Sequence, residues 1–262
     1  MKRILVTNDD GYNSAGYMPL IKALTKNASV IAVAPDCGKS WTGKAITTKK
    51  TLKVKKVRIG ETEIFTINGN PADCVQIGLY NISSSRPDLV VSGINIGPNI
   101  GNARMLSSGT VGAAMEASLD GLKAVASSLL IPISIKNTAD FYSTKTYPIF
   151  KQAADITAKI AGIIQENDFK DVDLFSINIP FDATIDSDLE ITKPFTTPYG
   201  QLFHKNRDGF VLKTPRVEFK NMEQKTDIKA VYDEKISITP VSLSLVSSSS
   251  FKTVENIISK SW

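Results

Sequence analysis

Two adjacent carboxylates, Asp9 and Asp10, follow a short apolar run in the stretch ILVTNDDGYNS, residues 4–14. They would diverge in the middle of a strand, but Gly11 permits a sharp turn that could direct both toward one point. Two carboxylates so close repel each other unless a proton or a cation lies between them, and a hard divalent ion such as Mg²⁺ or Mn²⁺ resolves that conflict. A solvated Asp–Gly turn with a helix-capping Asp explains the stretch equally well.

A second polar cluster, LSSGTVGAAME, opens a predicted helix at residues 106–116. Ser107, Ser108 and Thr110 surround Gly109 there. Backbone N–H groups at a helix start, together with hydroxyls and a glycine that allows close approach, suit a phosphate. The alternative is an ordinary serine N-cap followed by small residues that pack tightly on a sheet.

Two further glycine-containing loops match neither common nucleotide-binding pattern. CGKSW (37–41) lacks the P-loop glycine, because the position five residues before Gly38 is Val33. The ammonium group of Lys39 and the hydroxyl oxygen of Ser40 could still interact with a ligand. The other loop, SGINIGPNIGNA, spaces its glycines at every fourth residue rather than as G-x-G-x-x-G.

That second loop presents Asn95, Asn99 and Asn102 as neutral ligands or hydrogen-bond donors. The single histidine, His204, lies far along the chain without a G-x-S-x-G elbow, which favours a surface or interface position over nucleophilic catalysis. Metal-assisted attack of water on a phosphate therefore fits these side chains best.

Short branched-aliphatic runs alternate with helical patterns through the first half of the chain. The predicted strands are Arg3–Thr7, Val30–Ala34, Leu89–Ser92 and Ala124–Leu129. The predicted helices are Ala15–Lys26, Pro71–Tyr80 and Gly109–Leu119. This rhythm predicts an α/β fold with an open, mainly parallel sheet between helices, in which ligands bind beyond the carboxyl ends of the strands. By this assignment all four polar clusters fall at that edge of the sheet.

The segment TLKVKKVRIGETEIFTI (51–67) alternates in polarity around Gly60 and predicts an antiparallel hairpin. It lies in the most basic part of the chain. A solvated face explains these charges more simply than an anion-binding or RNA-binding ribbon does, because no aromatic residue interleaves with them before Phe65.

Beyond about residue 136 the pattern changes. Tyr147–Ile164 predicts an amphipathic helix and LFSINIP (174–180) predicts a core strand, whereas residues 184–245 are strand-like and rich in turns. After a run of serines, FKTVENIIS (251–259) predicts a short final helix whose apolar side is of the kind that packs on a partner subunit.

Composition narrows the class of protein. Of 262 residues, 42% are hydrophobic and 22% charged, as in globular proteins, and a net charge of +5 suits an anionic substrate without implying nucleic-acid binding. Cys37 and Cys74 are too few for a disulfide framework and too isolated for a zinc site. The sequence predicts neither a signal peptide nor a membrane span, so a cytoplasmic protein is expected.

Five motifs occur one after another along the chain. They are ILVTNDDG, APD-x3-S-x2-G-x-AIT, NPADCV, DLVVSGIN-x-G-x-N-x-G and SGTVGAAME. As a set they resemble the SurE family, the stationary-phase survival proteins that act as metal-dependent 5′/3′-nucleotidases. The resemblance implies a single Rossmann-like domain over residues 1–262, with a core at about 1–182 and a β-hairpin insertion at about 46–68. It also implies a C-terminal strand/helix extension, about 183–262, that assembles a homodimer or homotetramer.

The resemblance also implies a reaction and a site. One divalent ion per subunit, Mg²⁺ or Mn²⁺, would be held by Asp9, Asp10, Ser40 and Asn95. The implied catalytic residues are Asp9, Asp10 and Asn95. The implied phosphate-binding residues are Asn99, Ser108, Gly109 and Thr110. The implied activity is that of a 5′-nucleotidase, which hydrolyses nucleoside 5′- and 3′-monophosphates to nucleoside and phosphate and extends to short polyphosphate, with no membrane or nucleic acid required.

Several positions depart from the family pattern. The family usually has His where this chain has Lys44 and Ile96, Tyr where it has Ser107, Arg at Cys37 and Thr at Asn70. None of these changes removes an implied metal ligand, but together they leave the proton donor and the base preference open. A lysine is a poor general acid at neutral pH unless its pKa is depressed.

Two other function classes remain as alternatives. A nucleotide- or RNA-binding module without catalysis would use the basic hairpin and bind in a strongly salt-dependent manner. A nicotinamide-dependent oxidoreductase would share the fold, but the chain lacks its glycine fingerprint.

Overall fold

The computed structural model describes residues 2–132, 147–196, 198–213, 222–244 and 248–261. In chain order the strands are β1 Arg3–Thr7, β2 Ser29–Pro35, β3 Val54–Ile59, β4 Thr62–Ile67, β5 Leu89–Ile96, β6 Lys123–Leu129, β7 Leu174–Ile179, β8 Leu189–Ile191, β9 Phe203–Asn206, β10 Gly209–Leu212 and β11 Ile236–Val241. The helices are α1 Tyr17–Leu24, α2 Pro71–Ile77, α3 Asn102–Ser107, α4 Gly109–Leu119, α5 Tyr147–Glu166, α6 Asp227–Tyr232 and α7 Ser248–Ser261. A π-helical turn, Gly78–Ile82, continues α2.

Within the described residues, nine strands form one sheet in the order β3-β4-β2-β1-β5-β6-β7-β11-β8, and β9 and β10 form a separate antiparallel pair. The strands from β4 to β7 in that order run parallel to one another. β3 and β11 run antiparallel to their neighbours β4 and β7. Helices α1 and α5 pack on one face and α2 and α4 on the other. The predicted α/β fold with an open, mainly parallel sheet is confirmed.

β1 shows why short apolar runs become the central strands. Ile4 and Val6 pack in the core cluster of α1 and α5, whereas Leu5 packs in the cluster of α2 and α4. A strand covered on both faces needs an apolar residue at every position. Full burial of each such side chain stabilises the fold by roughly 1.5–3 kcal/mol, an upper estimate.

The order of the strands places the candidate site. From β1 the chain first forms β2 on one side, and later β5 on the other side. The carboxyl ends of β1 and β5 therefore flank a topological switch point, where open α/β sheets bind ligands. Thr7 of β1 pairs with Ser92 of β5, so the carboxylates that follow Thr7 leave the sheet on the same side as Asn95.

Several elements differ from the sequence-based prediction. Helix α1 is shorter than predicted, Tyr17–Leu24 rather than Ala15–Lys26. β5 continues past an irregularity between Ser92 and Asn95 to Ile96, so Asn95 lies on a strand rather than in a loop, because pairing with β6 extends the strand. A short helix, α3, begins at Asn102 where a loop was predicted. The last helix begins at Ser248, within the serine run that was predicted to precede it.

The predicted hairpin is present and turns at Gly60, whose φ of 59° lies in the left-handed region. It is not an appendage of the fold. β4 pairs in parallel with β2, so the hairpin extends the main sheet at one edge. The solvated face expected for its lysines stays a prediction, as does the alternative of an anion-binding or RNA-binding ribbon.

The predicted boundary of the core near residue 182 does not coincide with an edge of the sheet. β11 lies between β7 and β8 in the main sheet, although it comes from the C-terminal segment. The buried carboxylate of Asp227 accepts hydrogen bonds from the backbone N–H groups of Gly101, at 2.6 Å, and Phe195, at 2.9 Å. The C-terminal segment thus completes the sheet and supports the glycine-rich loop that follows β5.

Both cysteines are free thiols, Cys37 at the surface and Cys74 in the core. Among the helices that the structure describes, none combines the length and the apolar character needed to cross a membrane.

Candidate metal and phosphate site

A cavity of about 400 Å³ opens where β1 and β5 end. Six predicted site residues line it: Asp9, Asp10, Ser40, Asn95, Asn99 and Ser108. The other lining residues are Trp41, Ile96, Gly97, Pro98, Arg104 and Ser107. The structure therefore brings together all four candidate metal ligands and two of the four candidate phosphate ligands.

The turn that carries the carboxylates is built by Asn8. Its Nδ2 donates to the carbonyl of Gly11 at 2.8 Å and to Ser14 Oγ at 2.9 Å, and its Oδ1 accepts from the Gly11 N–H at 3.2 Å. Gly11 has a φ of 97°, which favours glycine. The N–H of Lys39 donates to the carbonyl of Asp9 at 2.7 Å, which ties the turn to the loop of Ser40. A tight turn and a cavity-facing pair of carboxylates therefore occur together.

Asp9 is a buried acid, only 4% exposed. Burial raises the pKa of its carboxyl above the ordinary value of 3.8. Hydrogen bonds from the Thr110 hydroxyl and from the backbone N–H groups of Thr110 and Gly109 favour the ionised form and oppose that rise in pKa without cancelling it. The ionised carboxylate would therefore be stabilised further by a positive charge in the cavity.

Asp10 and Asn95 are oriented by neighbouring backbone groups. Asp10 Oδ2 accepts a hydrogen bond from the Ile96 N–H at 3.0 Å. Asn95 Nδ2 donates to the carbonyl of Gly97 at 2.6 Å, so its Oδ1 is the atom that could ligate a cation. Ile96 stands where the resemblance implies a histidine, and it contributes a backbone donor and an apolar side chain instead.

Ser40 lies on the irregular segment between β2 and β3, and further contacts anchor that segment beyond the Lys39–Asp9 hydrogen bond. The N–H of Gly43 donates to the carbonyl of Ser107 at 2.9 Å. Lys44 forms an ion pair with Glu116 of α4, whose side chain is only 10% exposed. Lys44 does not line the cavity, so its positive charge stabilises the loop through Glu116 rather than facing the candidate phosphate site.

Asn99 is held by residues that the sequence analysis did not select. Its backbone N–H donates to Asn178 Oδ1 at 2.8 Å, and its Nδ2 donates to Ser128 Oγ at 2.9 Å. Ser128 and Asn178 lie near the carboxyl ends of β6 and β7. Polar residues near the end of otherwise apolar strands were the signal that could have revealed them.

The start of α4 faces Asp9. Ser108 acts as its N-cap, because its hydroxyl accepts the Val111 N–H at 3.2 Å. Gly109 and Thr110 are buried and do not line the cavity, and both donate toward Asp9. In this structure the helix start therefore orients a carboxylate, and the role of these three residues in binding phosphate stays a prediction.

Comparison with known proteins identifies the family. The model of the family described as Survival protein SurE matches residues 4–201. The chain belongs to the SurE family. The 5′-nucleotidase SurE of Methanocella arvoryzae is 32% identical over 99% of each chain. The 5′-nucleotidase SurE of Methanocaldococcus jannaschii is 37% identical over 92% of this chain and 91% of the relative. The crystal structure of the SurE protein from Aquifex aeolicus superposes with a TM-score of 0.78 at 28% identity, covering 98% of this chain and 99% of that one.

The four candidate metal ligands of this SurE chain suit a hard divalent cation. Two carboxylates, an amide oxygen and a hydroxyl are the donors that Mg²⁺ and Mn²⁺ prefer. The described part of the chain contains no group of three or more His, Cys, Asp or Glu side chains placed to hold a metal. A cation at this SurE site would therefore rely on Ser40 and Asn95 in addition to the two acids.

The C-terminal segment contacts Ser107, one of the residues that line the SurE cavity. Tyr199, in the C-terminal segment, hydrogen-bonds through its hydroxyl with the Ser107 hydroxyl and with the carbonyl of Ala103. Ser107 is one of the positions that depart from the family pattern. His204 lies on β9 and does not line the cavity.

Proposed function

We propose that the protein is a 5′-nucleotidase that hydrolyses nucleoside monophosphates to nucleoside and phosphate with one divalent ion, Mg²⁺ or Mn²⁺, per subunit. The observation that carries the proposal is one cavity that contains all four candidate metal ligands beside Asn99 and Ser108. The relatives named 5′-nucleotidase SurE, which match nearly the whole chain, support the same reaction class.

The candidate ligands divide into a charged pair and a neutral pair. Asp9 and Asp10 would supply the negative charge, and Ser40 and Asn95 the neutral oxygens, of the cation site. The ion, when bound, would supply positive charge that offsets the phosphate's negative charge and assists attack by water. Without it, two carboxylates in the cavity would repel the phosphate, so the proposal requires the cation.

The remaining candidates would bind the phosphate itself. Asn99 is fixed by Ser128 and Asn178, and its Nδ2 has a second hydrogen that could donate to a phosphate oxygen. Ser108 lines the cavity at the start of α4, where the positive end of the helix dipole lies. We assign Gly109 and Thr110 the role of holding Asp9 and the helix start in place beside the phosphate.

The first experiment measures phosphate release from the four nucleoside 5′-monophosphates, 3′-AMP and tripolyphosphate. We expect turnover of the 5′-monophosphates with Mg²⁺ or Mn²⁺, its loss on adding EDTA, and its return when the metal is restored. Phosphate release that continues unchanged in EDTA would contradict the metal-dependent mechanism. Nucleotide binding without any release, strongest at low salt, would favour the alternative of a non-catalytic binding module.

We also propose that the protein assembles as a homodimer or homotetramer through its C-terminal segment. Phe251, Val254 and Ile258 lie on one side of α7 and are 58%, 55% and 58% exposed. On the β9–β10 hairpin, Phe203 and Phe210 are 56% and 71% exposed. Apolar side chains exposed together on a helix side and on a hairpin are typical of subunit interfaces.

A double substitution tests this assembly. Val254→Glu with Ile258→Glu is expected to convert the oligomer to a monomer, because two carboxylates would be buried without partners at the interface. Light scattering after size-exclusion chromatography measures the mass. Thr253→Glu with Asn256→Glu adds the same charge on the polar side of α7 and should leave the mass unchanged. A monomeric wild-type protein, or an oligomeric double variant, would contradict the proposal.

A further inference from the structure

We propose that Trp41 is the surface on which the base of the substrate stacks, and that it makes the enzyme select nucleotides over other phosphate monoesters. The inference rests on the proposed function and names the part of the site that would recognise the leaving group. Trp41 belongs neither to the candidate metal ligands nor to the candidate phosphate ligands.

The position of Trp41 joins it to the candidate chemistry. It follows Ser40 directly, lines the same cavity as Asp9 and Asp10, and stays 40% exposed. A ring that both lines the cavity and stays exposed is accessible to a ligand that enters the cavity. Flat rings beside a phosphate site are the surfaces on which bases of single nucleotides stack.

The backbone of Trp41 is held in an unusual conformation. Its φ of 64° lies in the left-handed region, which bulky residues rarely adopt. The loop maintains this conformation through the Thr42 hydroxyl, which donates to the carbonyl of Lys39 at 2.8 Å, and through the bond from Gly43 to Ser107. Backbone strain of this kind concentrates at binding sites, where it orients a functional side chain.

The Trp41 ring is supported by a second aromatic ring from the C-terminal segment. Its centroid lies 5.4 Å from that of Tyr199, with 47° between the ring planes. Tyr199 is itself fixed by its hydroxyl, which hydrogen-bonds with Ser107 and Ala103 at the end of α3 and near its start. Trp41 is therefore held in place before any ligand binds, which reduces the entropy lost on stacking.

The same cavity offers a polar group for the edge of a base. Arg104 of α3 lines it, and a guanidinium can donate to the ring nitrogen and carbonyl acceptors of a purine or to the carbonyl of a pyrimidine. One cavity thus combines candidate ligands for a phosphate with a flat ring and a donor for a base. That combination fits a nucleoside monophosphate better than a simple sugar phosphate.

The test compares AMP with ribose 5-phosphate, which carries the same ester without a base. We expect Trp41→Ala to lower the ratio of kcat/KM for AMP to that for ribose 5-phosphate by roughly 5- to 150-fold, the effect of losing one stacked base. Trp41→Phe, which keeps a flat ring, should retain most of the ratio. An unchanged ratio would overturn the proposal: equal losses on both esters would assign Trp41 a purely structural role, and unchanged rates on both would assign it no role in the reaction.

Fluorescence gives a measurement that does not depend on turnover. Trp262 is the only other tryptophan, so in a Trp262→Phe background the emission reports on Trp41. We expect AMP to quench it and ribose 5-phosphate to leave it unchanged, whereas equal effects of the two ligands would contradict stacking. If the wild-type protein released phosphate from neither ester, the proposed function would fail, while quenching by AMP alone would still support a base site at Trp41.

Discussion

Asp9→Asn is expected to lower kcat/KM for AMP by about 10³-fold or more, while the protein stays folded. The reason is that Asp9 combines burial with a place among the candidate metal ligands. The amide keeps an oxygen that can accept from Thr110, but it loses the charge that would bind a cation. A loss of about 10³ in rate corresponds to roughly 4 kcal/mol of transition-state stabilisation, which is within the range for one electrostatic group in an active site.

When no metal is present, the same substitution is expected to keep or raise the thermal stability of the protein, although it lowers the activity. Burial raises the pKa of Asp9 in the folded protein above 3.8, so the folded state holds this proton more tightly than the unfolded state. The stability that Asp9 contributes is therefore complete below the unfolded pKa and is lost as the pH rises through the folded pKa. In EDTA at neutral pH we expect Asp9→Asn to melt at the same temperature as the wild type or higher.

Thermal melting with and without Mn²⁺ separates these effects. The wild-type protein should gain melting temperature when Mn²⁺ is added, because a ligand that binds only the folded state stabilises it. Asp9→Asn should show little or no gain. Asp186→Asn, at an exposed carboxylate outside the cavity, is the matched control and should behave as the wild type. A full Mn²⁺-dependent gain in Asp9→Asn would show that Asp9 is not a metal ligand.

Gly109→Ala is expected to lower kcat/KM by about 10²-fold and to reduce the melting temperature. A Cβ at this position would lie 2.8 Å from the Cβ of Asp9, 2.9 Å from Thr42 Oγ1 and 3.1 Å from Asp9 Oδ2. Such contacts are too short to persist, so Asp9, the loop of Thr42 or the helix start must move. Displacement of an active-site group by about 1 Å is enough for a loss of this size.

A second glycine in a helix provides the control for Gly109→Ala. Gly162, on α5, has no atom within 4 Å of an added Cβ. Gly162→Ala should therefore stabilise the protein by about 0.5–1 kcal/mol, the ordinary gain for alanine in a helix, and should leave kcat/KM unchanged. Urea unfolding measures both free energies. A Gly109→Ala protein with wild-type activity would show that the close approach of α4 to Asp9 is not needed for catalysis.

Much of the fold follows from signals that act within a few residues. The buried strand Arg3–Thr7 and the helix Gly109–Leu119 have the predicted bounds, because an apolar run, a turn glycine and a serine N-cap are local features. The hairpin around Gly60 was predicted for the same reason. These local signals were sufficient to indicate which side chains follow the strand ends.

Features that depend on pairing between distant segments were not predicted. Asn95 was placed in a loop because glycines recur at every fourth residue around it, and pairing with β6 makes the segment a strand. β11 follows turn-rich sequence and nevertheless inserts beside β7. Strand order depends on long-range hydrogen bonds and burial, which composition and periodicity do not encode.

The sequence by itself determined the types of group available to this site, namely paired carboxylates after a buried strand, a serine loop, an asparagine loop and a capped helix start. Only the tertiary structure decided which of these groups lie close together and which of them face the cavity. The switch point between β1 and β5 brings Asp10 beside Asn95, Thr110 binds Asp9 rather than lining the cavity, and Tyr199 supports Trp41 across the chain. The physical reason is that side-chain chemistry belongs to single residues, whereas distances between strand ends are set by how the whole sheet packs.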